Sequence, residues 1–303
     1  MSTIIPIIDN AIKKQKDEEY SGKKKTSFWA SETETMAFEI YHRWMQTPPT
    51  NPMDEQTIMM LNMRKLTEIA IVDSIRRSGA IIEKYSNDER MYFEWGKNKV
   101  PVSGYPDTAV LIDDHPILIE IKTYYGHYQQ SLINKGIAKK AYLAQLAIYM
   151  YYWKFHHGIV LMVNQGTGER TEFELYQQGD VHHFICPDND FEIDLSIIFK
   201  RWEKIYVENI LKKVEPVIEY IYKYDIEKID WAETSASKIR GARTGNVVIG
   251  DWQIKYSDYK NLIIKMQGTT PGYTDKEIKR IKELTEGYTA KKANAVKFNP
   301  KQI

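Results

Sequence analysis

The sequence predicts an α/β protein in which a central mixed β-sheet is flanked by helices. Three observations predict this class: a helical segment at 54–78, short β-type runs between 80 and 122, and a second helical segment at 136–155 followed by two more β-type runs. Segments that alternate in this way are typical of a sheet covered by helices. The 303 residues, 43% of them hydrophobic, suffice for one large domain or one domain with a smaller addition.

The N-terminal part is predicted to contain an arm and a helix. Residues 1–26 are expected to form a flexible arm that ends in the basic run SGKKKTS, a solvated tail. Residues 30–46 have helical spacing, and Ser31 or Thr33 is the expected N-cap. The following run TPPTNP ends this helix because its prolines cannot continue one.

The strongest helical signal lies at 54–78, where Asp54 is the expected N-cap and Gly79 the expected stop. The run DDHP then supplies a turn before the last of four predicted strands. These strands are expected at 80–86, 89–96, 100–112 and 116–122.

The second half repeats this alternation. A helix is predicted at 136–155, strands at 158–165 and 170–177, and a helical region at 194–224 that Pro216 breaks or kinks. The remaining residues to 303 are mixed, turn-rich and basic at their end.

Composition limits the function classes. The net charge of +1 indicates neither a nucleic-acid nor a membrane binder by itself. The single cysteine, Cys186, excludes an intrachain disulfide and fits a reducing compartment. The N-terminus is not a signal peptide, and no apolar run approaches the ~20 residues of a membrane helix. We therefore expect a cytoplasmic protein with no membrane partner.

One hairpin carries the chemistry. Glu120 and Lys122 interrupt the apolar run PILIEIK and share one face of the strand, roughly 6–7 Å apart. The turn folds Asp107 back towards Glu120, after Gly104 and Pro106 set an unusual backbone. Two carboxylates beside a lysine suit Mg²⁺ or Mn²⁺ and phosphodiester hydrolysis. The alternative is a cross-strand salt bridge at a sheet edge.

The pair Pro106-Asp107 and the triplet Glu120-Ile121-Lys122 resemble the motif of the PD-(D/E)XK nuclease superfamily. This resemblance implies a restriction-endonuclease-like core with helical N- and C-terminal additions. It also implies that Asp107, Glu120 and the backbone carbonyl of Ile121 hold one or two Mg²⁺ or Mn²⁺ ions. Lys122 is expected to position the attacking water.

A second motif narrows the resemblance. Gln145 and Tyr149 lie four residues apart on one helix face, similar to the Q-x-x-x-Y signature of the RecB-like branch, which includes phage exonucleases and CRISPR-associated nucleases. In that branch the two residues contact the DNA backbone or arrange the active-site helix. Lys139 and Lys140 precede them and are expected either to line a DNA path or to form a solvated helix start.

The first acidic ligand of that family lies on a helix before the strands, and Glu68 occupies the corresponding place, with Arg64 where a glycine is usual. We expect Glu68 to be a metal ligand and a catalytic residue because Ile69 and Val72 indicate that its helix face is partly buried, where an unpaired carboxylate is costly. The alternative is a surface residue of an amphipathic helix.

The C-terminal segment resembles the iron–sulfur segment of phage-type and CRISPR-associated members but lacks its cysteines. Met36, Ile254, Ser257 and Ile263 stand at the four ligand positions. Because thiolates hold such clusters, we predict no iron–sulfur cluster. Apolar packing among Met36, Trp252, Ile254 and Ile263 is expected to replace the cluster.

The resemblance covers about residues 30–265. Its phage and CRISPR-associated members imply that the protein belongs to a prokaryotic host or a virus-infected cell. It implies a nuclease domain at 27–265, with a catalytic core at about 55–190 and a helical part at 191–265, followed by an extension at 266–303. The expected function is that of a metal-dependent DNA exonuclease in recombination, repair or replication, acting on DNA ends or single strands, with a recombination or replication protein as a further partner. The alternatives are a structure-specific or defence endonuclease of this fold, an inactive DNA-binding or assembly subunit, and an unrelated fold with chance motifs.

Overall fold

The computed structural model describes residues 24–50, 53–85, 89–126, 138–189 and 191–216, together with 4, 7–12, 14, 130, 133, 136, 257–259 and 261–262. The predicted packing positions Trp252, Ile254 and Ile263 lie outside these residues. The chain divides into two compact units: Met1–Met36, Ile40–Gln46 and Asp54–Val214 form the first, and Ala37–Glu39, Thr47–Met53 and Glu215–Ile303 form the second.

The described strands form two sheets. They are β1 Phe28–Trp29, β2 Met91–Trp95, β3 Val100–Gly104, β4 Thr108–Ile112, β5 His115–Tyr124, β6 His157–Asn164, β7 Arg170–Gln177, β8 His183–Cys186 and β9 Phe191–Asp194. The larger sheet has the order β4-β5-β6-β7-β8-β9, and the smaller has the order β1-β3-β2. Both are mixed, because β5–β6 and β1–β3 pair in parallel while the other neighbours are antiparallel.

Helices cover both faces of the six-stranded sheet. The described α-helices are α1 Ala37–Trp44, α2 Glu55–Ser78, α3 Lys140–Trp153 and α4 Leu195–Ile205. Val72 of α2 packs against Ile119 and Ile121 of β5, whereas α3 packs closely over Gly158 of β6 on the opposite face. The predicted fold class, a mixed sheet flanked by helices, is confirmed.

The ends of α2 follow the sequence prediction. The Asp54 carboxylate accepts a hydrogen bond from the Thr57 backbone N–H at 2.8 Å, and Gly79 adopts a left-handed φ of 77°.

The helix predicted at 30–46 is shorter than expected. A 3₁₀ turn spans Ala30–Glu32, and α1 begins only after Met36, with no side-chain cap. The expected N-caps, Ser31 and Thr33, are therefore wrong. The Arg201 guanidinium donates hydrogen bonds to the Thr33 and Thr35 carbonyls, so a tertiary contact holds this segment out of the helix.

Two predicted strands differ in the structure. Residues 80–85 form one bridge between Ile81 and Val110 and then a 3₁₀ turn, so the strand predicted at 80–86 is wrong over these residues. The predicted strand at 100–112 is divided between the two sheets, as β3 and β4, and the break is at 105–107.

The last third departs further from the sequence prediction. β8 and β9 were not predicted, and the helix predicted at 194–224 is α-helical only to Ile205 before a π-helical turn to Ile210. The helix therefore changes before Pro216. Within the described residues, no helix is long and apolar enough to cross a bilayer.

Lys25, in the basic run before β1, is buried. Its ammonium lies 2.7 Å from the Glu32 carboxylate and 3.7 Å from the centroid of the Trp29 ring. Arg43 lies on the other carboxylate oxygen at 3.2 Å. This end of the basic run is therefore packed against the first unit rather than solvated.

The positions of the absent cluster are partly described. Met36 is buried in the first unit. Ser257 is buried in the second unit, and its hydroxyl accepts a hydrogen bond from the Tyr259 N–H at 3.1 Å. In the same unit the Thr50 N–H donates a hydrogen bond to the Asp258 carbonyl at 2.8 Å.

Candidate active site

The β4–β5 hairpin brings Asp107 to Glu120. Thr108 pairs with Ile119, so the residue before β4 lies at the level of Glu120. The Asp107 carboxylate is buried and accepts a hydrogen bond from the Ile121 N–H at 2.6 Å. Asp107 thus occupies the end of β4, where the sheet ladder stops, as the hairpin prediction expected.

Glu120 and Lys122 lie on the face of β5 that α3 covers, because the alternate residues Ile119 and Ile121 face α2. The Lys122 ammonium donates to Oε1 of Glu120. Within the described part of the chain, the second oxygen, Oε2, is buried without a hydrogen-bond partner. An unpaired buried carboxylate oxygen is costly, so it is a position for a further cationic or donor group.

The carboxylates of this site repel one another in a buried setting. Burial, reinforced by the charges of Glu120 and Glu68, raises the pKa of Asp107 well above its usual range, although Lys122 and the Ile121 N–H oppose the shift. Burial also raises the pKa of Glu120, against the attraction of Lys122 and with a further contribution from Glu68. A cation between these groups would relieve both effects.

Lys122 is held as a cation. Burial alone would lower the pKa of this lysine, but the carboxylates of Glu120 and Asp107 outweigh burial and raise it. Its ammonium also lies 5.3 Å from the centroid of the Tyr142 ring on α3. Tyr142 is a contact that the motifs did not indicate.

Gln145 and Tyr149 share one face of α3, as predicted, and the Gln145 amide donates to the Tyr149 hydroxyl at 3.2 Å. Both are buried. Burial and the nearby Glu120 charge raise the pKa of Tyr149 well above its usual range, while hydrogen bonds with Gln145 and the Tyr105 backbone oppose this. Their burial supports the role of arranging the helix more than that of contacting DNA.

Gly104 allows Tyr149 to approach the strand. A Cβ atom at this glycine would lie 2.6 Å from Cε1 and 2.8 Å from the hydroxyl oxygen of Tyr149. Gly104 is not among the glycines with positive φ. The expectation that it sets an unusual backbone is therefore replaced by a steric reason, the close contact with the ring.

Glu68 lies half-buried on α2, and its charge acts on both carboxylates of the hairpin. Ile69 and Val72 were both expected to lie on a buried face of this helix. Val72 is buried, but Ile69 is 43% exposed. The neighbouring Thr67 hydroxyl accepts a hydrogen bond from the Gln165 amide at 3.1 Å, which fastens this turn of α2 to the end of β6. Gln165 is another contact that no motif indicated.

Lys139 and Lys140 are exposed at the start of α3. The Lys139 ammonium lies 5.3 Å from the centroid of the Tyr142 ring, whose hydroxyl is 3.5 Å away. Tyr142 therefore links an exposed lysine to Lys122 inside the site.

The donor set fits a hard divalent cation. Asp107, Glu120 with its unpartnered oxygen, the Ile121 carbonyl and Glu68 would supply the oxygen ligands that Mg²⁺ and Mn²⁺ prefer. Among the described residues, no three His, Cys, Asp or Glu side chains are grouped closely enough to enclose a metal ion.

No protein-family model and no curated protein sequence matches the chain. Solved structures do match it. One, described as SSO0001, is 15% identical over 69% of this chain and 88% of its own, with a TM-score of 0.45. A phage-related exonuclease from Haemophilus somnus 129PT is 13% identical over 62% and 96%, with a TM-score of 0.40. An alkaline exonuclease from Laribacter hongkongensis is 16% identical over 67% and 95%, with a TM-score of 0.32.

Proposed function

We propose that the chain is a metal-dependent deoxyribonuclease, more specifically an exonuclease that acts on DNA ends or single strands in recombination, repair or replication. Because all three TM-scores lie below 0.5, the proposal rests on this chain's own residues. The observation that carries it is the group formed by the buried carboxylates of Asp107 and Glu120 and the partly buried Lys122 at the end of the β4–β5 hairpin.

Asp107, Glu120, Glu68 and the Ile121 carbonyl would hold Mg²⁺ or Mn²⁺. When bound, such an ion offsets the charge that develops on the phosphate and makes water a better nucleophile. We expect no iron–sulfur cluster, because a single cysteine cannot supply the thiolates that hold one.

The chain's own groups would contribute position and charge. The Ile121 N–H fixes the rotamer of Asp107, and Glu120 fixes the ammonium of Lys122. A fixed cation at this place would orient water and stabilise an anionic phosphorane-like transition state without costly reorganisation. Tyr149 and Gln145 would keep α3 against β3, and Lys139 and Lys140 would attract the DNA backbone.

The test is a degradation assay with Mg²⁺, Mn²⁺ or EDTA on linear single-stranded DNA labelled at either end and on circular single-stranded DNA. Lys122→Ala is compared with Lys97→Ala, which removes an exposed lysine from the β2–β3 turn. We expect the linear strands to be shortened only when metal is present, and the circle to survive. Lys122→Ala should lose this activity, whereas Lys97→Ala should keep it.

Each other outcome changes the proposal in a defined way. Cutting of the circle would replace the exonuclease by an endonuclease of the same fold. Equal activity of Lys122→Ala and the wild type would remove the hairpin site from the mechanism. A folded wild type that cuts no DNA with either metal would favour the DNA-binding subunit, in which Glu120 and Lys122 form a structural salt bridge.

A further inference from the structure

The three-stranded sheet carries two exposed aromatic residues in one row. Trp29 of β1 and Tyr92 of β2 both pair with Ser103 of β3. Directly paired residues point to the same side of a sheet, so the three side chains share one side. We call this side, with Trp29, Ser103 and Tyr92, the aromatic face.

The protein core does not account for these two rings. On the other side of the same strands, Phe28 stacks on Trp202 at 5.4 Å, and Phe93 stacks on Tyr152 at 5.7 Å. Trp29 and Tyr92, by contrast, are 43% and 46% exposed. A tryptophan and a tyrosine that flank a small buried serine leave large ring surfaces open to solvent.

Cationic groups lie beside both rings of the aromatic face. The exposed Arg90 lies 5.8 Å from the centroid of the Tyr92 ring. Lys25 and Arg43 lie 3.7 Å and 5.9 Å from the centroid of the Trp29 ring, but Lys25 is buried and both are paired with Glu32. An exposed ring with an adjacent exposed cation, as at Tyr92, matches the two parts of a nucleotide, an apolar base and an anionic phosphate.

The aromatic face is close to the proposed active site along the chain. Ser103 is four residues before Asp107, a span of at most about 14 Å. Tyr105, between them, is 52% exposed. Glu120 and Lys122 face α3, which packs on the other side of β2 and β3, so a strand of nucleic acid on the aromatic face would have to pass across residues 105–107 to reach the hairpin carboxylates.

We propose that the aromatic face binds single-stranded DNA by stacking unpaired bases on Trp29 and Tyr92, and delivers the strand to the hairpin site. This inference rests on the proposed function and specifies its substrate. The two rings lie two strand spacings apart, about 10 Å, so each would take a separate base. Paired bases inside a duplex do not present their ring faces, which makes this surface selective for unpaired strands.

The test measures binding without hydrolysis. Fluorescence anisotropy in EDTA gives the affinity for a labelled oligothymidylate and for the same sugar–phosphate backbone without bases. The variants are Tyr92→Ala, Tyr92→Leu, Tyr92→Phe and Trp29→Ala. Leu111→Ala is the control, because Leu111 is 47% exposed at the far end of β4 from Asp107. Thermal unfolding followed by circular dichroism confirms that each variant is folded.

We expect Tyr92→Ala and Tyr92→Leu to bind oligothymidylate about tenfold more weakly, which corresponds to about 1.4 kcal/mol and to one base–ring stack. Tyr92→Phe keeps the ring and should bind like the wild type, as should Leu111→Ala. The abasic strand should bind more weakly to the wild type and be insensitive to Tyr92→Ala. Trp29→Ala should weaken the binding of oligothymidylate as much as Tyr92→Ala does. If Trp29→Ala does not fold because its contact with Lys25 is lost, the Tyr92 variants test the proposal alone.

The proposal is overturned if the wild type binds both strands equally, or if Tyr92→Ala weakens the abasic strand as much as the normal one. Failure of the proposed function would give a different result. A wild type whose binding depends on the bases but which cuts no DNA would support the aromatic face as a binding site and refute the nuclease function.

Discussion

Gly104→Ala tests whether the close approach of Tyr149 to β3 holds the site together. The new methyl carbon would lie 2.6 Å from Cε1 and 3.1 Å from Cζ of a buried ring that helix α3 fixes in place. Forcing extra atoms into a packed core typically costs about 1–3 kcal/mol, so we expect the free energy of unfolding to fall by about this amount.

The measurement is a double-mutant cycle by urea denaturation with Gly104→Ala, Tyr149→Leu and the double variant. Leucine does not extend as far as the tyrosine ring, so the methyl group should cost little once Tyr149 is replaced. We therefore expect a coupling of at least about 1 kcal/mol between the two positions.

Gly166→Ala is the control. Its added carbon would lie 3.3 Å from Cε2 of Tyr125, whose side chain is 74% exposed and can move away. It should therefore cost less than Gly104→Ala. Equal losses at Gly104 and Gly166, or a Gly104→Ala loss that persists in the Tyr149→Leu background, would refute the steric explanation.

Three further predictions concern the lysines. Burial lowers the pKa of Lys25 from 10.5 to about 8, so between these pH values the unfolded chain binds more protons than the folded one. The free energy of unfolding of the wild type, relative to that of Lys25→Met, should therefore increase by up to about 3 kcal/mol as the pH rises from 8 to 10.5. A difference between the two proteins that does not change with pH would contradict this. Tyr142→Leu, which removes the ring beside Lys122, should slow DNA cleavage about two- to fivefold while Tyr142→Phe does not, and equal rates in both variants would exclude a positioning role. Lys139→Ala should reduce the slope of log affinity against log salt by about 0.7 for single-stranded DNA, and an unchanged slope would remove Lys139 from the phosphate path.

The sequence predicted those features that depend on neighbouring residues. The N-cap at Asp54 and the stop at Gly79 are local, and the structure confirms both. The proximity of Asp107 to Glu120 was also predictable, because a two-residue turn at Asp113 and Asp114 fixes the register of the hairpin.

Features that depend on the rest of the fold were missed. Gly104, Pro106 and Asp107 interrupt the run at 100–112, but these residues could not show that its two ends belong to different sheets, because that depends on pairing with distant strands. The sequence predicted that Lys25 belongs to a solvated basic run. It did not show that the fold brings Lys25 into contact with Glu32 and Trp29.

Among the site residues, the motifs located the hairpin pair and the face of α3. They gave no indication of Tyr142 or Gln165, because each acts through a contact across elements rather than through a spacing along the chain. β8 and β9 were missed because strands of four residues carry almost no periodic signal.

The hydrogen bond from the Ile121 N–H to Asp107 decides which inactive variants are suitable for trapping a substrate complex. Asp107→Ala would leave a buried amide without an acceptor, so loss of activity in that variant would mix chemistry with unfolding. Asp107→Asn keeps a carbonyl oxygen for that N–H while it removes the negative charge. It is therefore the better starting point for crystals or complexes with intact DNA.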